Sequence, residues 1–166
     1  MRALAEFSLL TGDLYAEGAN AARMREGMLN HQALQGRYED GMESEVALEL
    51  KVQTATCELV VSGRADGLKV AADHVTVEEI KSAAGRVSPD SYPAHWAQAQ
   101  GYALMACIEH DIARATVRLV YVHSVASGAL TRFTREFTRD ELQARFDELL
   151  RPYAAWLDAQ ARFEDV

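Results

Sequence analysis

Cysteine is nearly absent from this chain: Cys57 and Cys107, far apart in the sequence, are the only two. They form neither a disulfide framework nor a CxxC metal knuckle. Both sit among apolar residues, where a small buried thiol is the ordinary use. The setting this implies is reducing and cytoplasmic. Long apolar runs are missing too. None approaches the ~20 residues needed to cross a bilayer, and Glu6 interrupts the N-terminal segment before any apolar signal core can form. Basic excess is also missing. A net charge of −8 argues against nonspecific nucleic-acid binding by the whole surface. Any nucleic acid would be held by local arginines, by a bound metal or by another domain. What remains is an ordinary globular composition, 49% hydrophobic and 25% charged, without repeats, low-complexity tracts or linker-like stretches. One domain over residues 1–166 accommodates it, with a sizeable core.

Periodicity predicts a short helix over 2–12, ended near Gly12, and a longer one over about 18–37. On the second, Arg23, Gly27 and His31 recur every four residues along one stripe. Met42 to Lys51 alternates as a strand, with Met42, Val46, Leu48 and Leu50 on one side and Glu43, Glu45, Glu49 and Lys51 on the other. Further strands are expected at about 56–66, 67–72 and 75–82, the last two separated by a turn at Ala72-Asp73-His74; part of this set forms an antiparallel meander. Ala83 to Ser91 reads as a mobile loop. Pro93 then opens a helix running to about Glu109. Ala115 to His123 and Ala129 to Phe137 are apolar or alternating strands. Thr138, with Glu141 three residues on, is a capping box for a last helix striped by Leu142, Phe146, Leu149, Tyr153 and Trp156. The order α-α-β-β-β-β-α-β-β-α predicts an α/β (mixed α+β) fold, a mixed sheet flanked by helices.

The stretch Val75-Thr76-Val77-Glu78-Glu79-Ile80-Lys81-Ser82 carries the chemistry. On a strand Glu79 and Lys81 share a face while Ile80 points away. Upstream, Asp66 ends a neighbouring strand; His31 lies on a helix; Gln98 and Tyr102 are one turn apart on the helix after the loop. Two carboxylates and an imidazole suit Mg²⁺ or Mn²⁺. Such a metal neutralises a scissile phosphate and acidifies a water. Lys81 beside it can orient that water, or deprotonate it if desolvation and a nearby cation lower the lysine's pKa. Each piece alone has a bland use: an ExK triplet is commonly an exposed charge pair, Asp66 before Gly67 suits a turn, and a helical histidine usually packs. Their conjunction and order carry the reading. Softer candidates are Arg64, which shares the face of Asp66; Arg86 in the loop, facing a phosphate backbone; Glu45, more simply solvent-exposed; and His95, three residues before Gln98.

At Gly27-x-x-x-His31, Gly63-Arg64-Ala65-Asp66-Gly67, Glu79-Ile80-Lys81 and Gln98-Ala99-Gln100-Gly101-Tyr102 the chain resembles the PD-(D/E)xK nuclease superfamily, in its RecB-like exonuclease branch. Leu9 to Leu14 and His95 to Gln100 also look like the nuclease domain preceding some DinG-type helicases, although helicase motifs are absent. The resemblance implies a restriction-endonuclease-like core and a metal-dependent DNA nuclease, an exonuclease of repair or recombination. It casts His31, Asp66, Glu79 and the backbone carbonyl of Ile80 as metal ligands and Lys81 as the catalytic lysine. Gln98 and Tyr102 become helpers that position lysine, water and DNA. The implied partners are DNA and a helicase domain or subunit, with no membrane. Ala65 stands where the family name has proline. The cysteines that build an iron–sulfur cluster in some relatives are missing, so no cluster is expected. The competing reading is a non-catalytic nucleic-acid-binding module of a helicase assembly; a weaker third is an α/β small-molecule binder.

Overall fold

A computed structural model describes residues 1–9, 21–124 and 127–164. Its centre is a five-stranded sheet in the order β1-β2-β3-β4-β5, with β1 Met42–Gln53, β2 Glu58–Val70, β3 Val75–Ser82, β4 Arg114–Ser124 and β5 Ala129–Thr138. Neighbours are antiparallel except β3 and β4, which are parallel. That exception follows from the connection: helix α3, Pro93–Glu109, carries the chain back across the sheet between them. The remaining helices are α1 Arg2–Ser8, α2 Ala21–Gln35 and α4 Arg139–Glu164. Among the described residues no helix is long and apolar enough to span a membrane.

The two faces of the sheet are covered unequally. On one, α1, α3 and α4 enclose the main core, where Trp96, Tyr102, Leu104 and Met105 of α3 meet Val75, Val77, Val117 and Leu119. On the other, α2 lays Leu34 over Ile80, Val120 and Val122. Strand β3 is therefore buried on both sides, as a central strand beside a parallel partner must be. The capping box at the start of α4 forms as expected: Glu141 N–H donates to Thr138 Oγ1 at 3.2 Å, and Thr138 N–H donates to Glu141 Oε2 at 2.8 Å.

Several expectations need correction. The first helix ends at Ser8 with Leu9 as its cap, and Gly12 lies outside the described residues, as do Leu10 to Leu14. Strands 56–66 and 67–72 are one strand, β2: Gly67 pairs with Ser44 on one side and Glu78 on the other, and these two ladders override the turn preference of Asp-Gly. Met42 does not share a face with Val46. Val46, Leu48 and Leu50 join the main core, whereas Met42 lies with Leu34 and Tyr38 on the α2 side. The loop over 83–91 has no helix or strand but is tied down, since the Trp96 indole N–H donates to the Pro89 carbonyl at 2.6 Å and Arg135 pairs with Asp90 at 3.0 Å. Trp156 is 45% exposed, its ring lying against Phe7 and Tyr153 rather than in the main core. Cys107 is buried, but Cys57 is exposed in the β1–β2 connection, where Thr54 caps the turn through Cys57 N–H at 3.0 Å.

Candidate metal centre

Two breaks in the ladders coincide at Asp66. Between β2 and β3 the pairing runs from Val70↔Val75 to Gly67↔Glu78 and stops. Beyond it the strands part, and the amide of Ile80, left without a strand partner there, donates to Asp66 Oδ2 at 2.7 Å. The side chain thus supplies the acceptor that the ladder withdraws. On its other edge, the Glu45–Asp66 pair is missing from an otherwise continuous β1–β2 register, and Glu45 takes φ +57°. A left-handed glutamate costs on the order of 1 kcal/mol. Gln35 offsets part of it, donating Nε2 to the Asp66 carbonyl at 3.0 Å and to Glu45 Oε1 at 2.7 Å. The double interruption also reverses the pleat. Ala65 and Leu68, three residues apart, both enter the main core, so Asp66 and Gly67 turn together toward α2. There a Cβ on Gly67 would lie 2.7 Å from the Tyr38 hydroxyl oxygen, a place only glycine fits.

His31, on α2, faces this fork with Nδ1 3.2 Å from Asp66 Oδ1. The hydrogen bond that its Nδ1–H donates to Asp66 holds its pKa above the ordinary histidine value, against a smaller opposing effect of burial. One donor atom each from His31, Glu45 and Asp66 lies within 4.8 Å of the others. Such a set, two carboxylates and an imidazole, is able to hold a metal ion.

Glu79 is not in that trio. It projects to the α3 side of β3, where it is only 2% exposed. Its Oε1 accepts from Lys81 Nζ at 2.7 Å and from Gln98 Nε2 at 2.8 Å. Lys81 also donates to Gln98 Oε1 at 3.2 Å, and Gln98 Nε2 reaches the Tyr102 hydroxyl at 3.3 Å. The four predicted residues therefore form one connected network. Tyr102 is seated by Gly63, where a Cβ would fall 2.5 Å from its hydroxyl oxygen. The second oxygen, Glu79 Oε2, is buried without a hydrogen-bond partner among the described residues. Burial pushes Glu79 up to about 7, and the Asp66 charge adds to the rise, although Lys81 opposes it. An orphaned carboxylate oxygen beside a hard-ligand trio fits a divalent cation.

Of the predicted ligands, then, His31 and Asp66 come together, while Glu79 stands outside the trio but near enough for its charge and theirs to influence one another. Ile80 offers Asp66 its amide, while its side chain is buried under α2. Arg64 lies at the rim, Nη1 3.9 Å from Glu45 Oε2. Arg86 is exposed in the loop. Sequence reading missed Gln35, although it continues the every-fourth stripe through Gly27 and His31. It also underweighted Glu45, whose strand parity pointed it to solvent.

No protein-family model matches the chain, and no curated protein matches it. Among solved structures, the crystal structure of SSO0001 superposes with a TM-score of 0.54 at 17% identity, over 80% of this chain and 61% of that one. This chain thus spans about three fifths of that protein. At such identity the likeness supports the α/β fold and nothing finer.

Proposed function

We propose that this chain is a Mg²⁺- or Mn²⁺-dependent deoxyribonuclease of the PD-(D/E)xK type, working as an exonuclease on DNA in repair or recombination. The observation that carries the reading is the buried Glu79–Lys81–Gln98–Tyr102 network set against the His31–Glu45–Asp66 trio at a fork in the sheet. A fold does not keep mutually repelling carboxylates together at that cost unless a cation or a reacting group repays it. His31, Asp66 and Glu45 would hold the metal, with Glu79 Oε2 as a further oxygen donor. When bound, it would supply charge neutralisation at the scissile phosphate and a more acidic water. Lys81 makes two hydrogen bonds among the described residues, and an ammonium carries three donors. The third is available to a water or a phosphate oxygen, where it stabilises charge developing as the water oxygen joins phosphorus and the bond to the leaving sugar oxygen breaks. Gln98 and Tyr102 are positioning residues: they fix the carboxylate and the lysine relative to each other. Arg64 and Arg86 are phosphate contacts at the rim. A reducing, cytoplasmic setting suits the two free thiols.

One observation favours a second reading. The net charge of −8 is poorly suited to gripping DNA unaided, which fits a module that depends on a helicase partner. The test is incubation of labelled linear single- and double-stranded DNA with Mn²⁺, Mg²⁺ or EDTA. Metal-dependent shortening that disappears in Glu79→Ala and Lys81→Ala supports the enzyme. Binding without cleavage that survives both substitutions would establish the non-catalytic module.

A further inference from the structure

Next to the lysine is a cluster of rings that the hydrolytic reading does not use. Tyr121 on β4 is the cross-strand partner of Lys81 on β3, so the two residues are neighbours on the sheet. Its hydroxyl is 2.9 Å from His95 Nδ1, and the two rings lie 5.8 Å apart at 38°. On His95 stacks Tyr92, with centroids 4.8 Å apart and planes at 28°. Tyr92 is also tilted 33° from Tyr121 at 5.9 Å. The three rings thus form a triangular cluster, mutually tilted by 28–38°, that runs from a buried root to a rim. The root is rigid: Tyr121 is 2% exposed and meets Phe133 edge-on at 6.0 Å. The outermost ring, Tyr92 at the N-cap of α3, is 47% exposed. Burial holds His95 down to about 4, so its ring is neutral near pH 7 and acts as a polar-edged, uncharged spacer. An exposed tyrosine is common, but one mounted on two ordered rings has already lost the side-chain freedom that a ligand would otherwise have to freeze.

We infer that Tyr92, backed by His95 and Tyr121, is a stacking platform for an unpaired base of single-stranded DNA, leading the strand toward Lys81 and Glu79. The inference rests on the nuclease reading for its polymer and adds the substrate class: an unstacked strand, whose bases expose their faces, rather than a duplex. Stacking also suits this particular protein. Its net charge of −8 leaves counterion release to a few local arginines, so base–aromatic contact would carry more of the binding.

The experiment is fluorescence anisotropy of the full chain with a labelled single-stranded oligonucleotide and with its duplex, in EDTA so that the probe stays whole. The single strand binds more tightly than the duplex, and Tyr92→Ala weakens it about fivefold to a hundredfold. Tyr92→Phe, which keeps the ring, stays within about twofold of the parent. An oligonucleotide carrying abasic positions reproduces the loss on the unaltered protein, so the outcome does not depend on how a variant folds. Equal binding of single strand and duplex, binding unchanged in Tyr92→Ala, or no binding of the single strand overturns the platform. Cleavage is scored separately. Tyr92-insensitive binding with Glu79-dependent cleavage removes the platform and leaves the nuclease, whereas Tyr92-dependent binding with no cleavage does the reverse.

Discussion

Replacing Glu79 by glutamine changes how stability depends on pH, and the size of the change follows from the site. Folded, the buried carboxyl titrates at about 7 rather than at its ordinary 4.5, chiefly because burial disfavours its charge. It therefore binds its proton more tightly folded than unfolded. Its stabilising contribution is complete below about 4.5 and is lost as pH rises through about 7. A difference of that size corresponds to about 3 kcal/mol between the acidic and alkaline limits. Glu79→Gln cannot titrate, yet its amide oxygen can still accept from Lys81 and Gln98. Whatever fixed cost the new NH₂ group brings is the same at every pH and cancels in the comparison. The assay is thermal unfolding of both proteins in EDTA at about pH 5 and pH 8. From the acidic to the alkaline condition the unaltered chain should lose about 5–10 °C relative to the variant. Replacing EDTA by Mn²⁺ should restore it, because a cation favours the ionised form. A melting difference that is flat across this range would refute the placement of Glu79 in a closed, desolvated site, and with it the argument that its free oxygen awaits a cation.

Four further outcomes follow from the same geometry. Lys81→Met should cut the cleavage rate at least ~10²-fold while Mn²⁺ binding, followed by calorimetry, survives, since the lysine contacts Glu79 and Gln98 rather than the trio. Glu45→Gln should weaken Mn²⁺ binding about 10–100-fold in the same calorimetric titration. Affinity in the unaltered chain should rise with pH through and above the ordinary histidine range, because Asp66 holds His31 protonated to a raised pKa and the proton must leave before the imidazole can ligate. Gly63→Ala pushes a methyl group against the Tyr102 ring, so it should cost about 1–3 kcal/mol in denaturant unfolding and lower kcat more than it alters DNA binding.

How much of this was legible from the residues differs from place to place, for physical reasons. Strand Val75–Ser82 and helix Pro93–Glu109 were readable to the residue, because each is bounded by its own punctuation: a tight turn before one, a helix-starting proline for the other. The Glu79–Lys81 face followed from strand parity alone, and the Gln98–Tyr102 pair from helical spacing. Parity failed at Glu45 and Asp66, where the pleat reverses. That reversal is held by Gln35 on α2 and by Tyr38 packed on Gly67, both remote in sequence from the strands they bend. Asp66-Gly67 looks like a turn locally, and only two flanking ladders keep it extended. The tyrosine–histidine stack was hidden for a similar reason, since it joins a helix cap to a strand brought beside Lys81 only by the crossover.

The fork also explains how an acidic protein can keep Glu79 close enough to the Glu45–Asp66 pair to feel its charge. Without a cation, the repulsion is relieved by protons: Asp66 keeps a proton on His31, and burial keeps one on Glu79. Glu79 gives up its proton at about 7 and His31 only above its ordinary range, and a divalent ion held there would take over the charge these protons neutralised. Protons and such an ion would compete for the same groups. The parted strands make that exchange possible because Asp66 is fixed by the Ile80 amide whichever occupant is present. A carboxylate anchored by the backbone keeps its place when its counter-charge changes. One anchored only by His31 would turn away as that ring lost its proton, and the trio would disperse just as its imidazole became free to ligate.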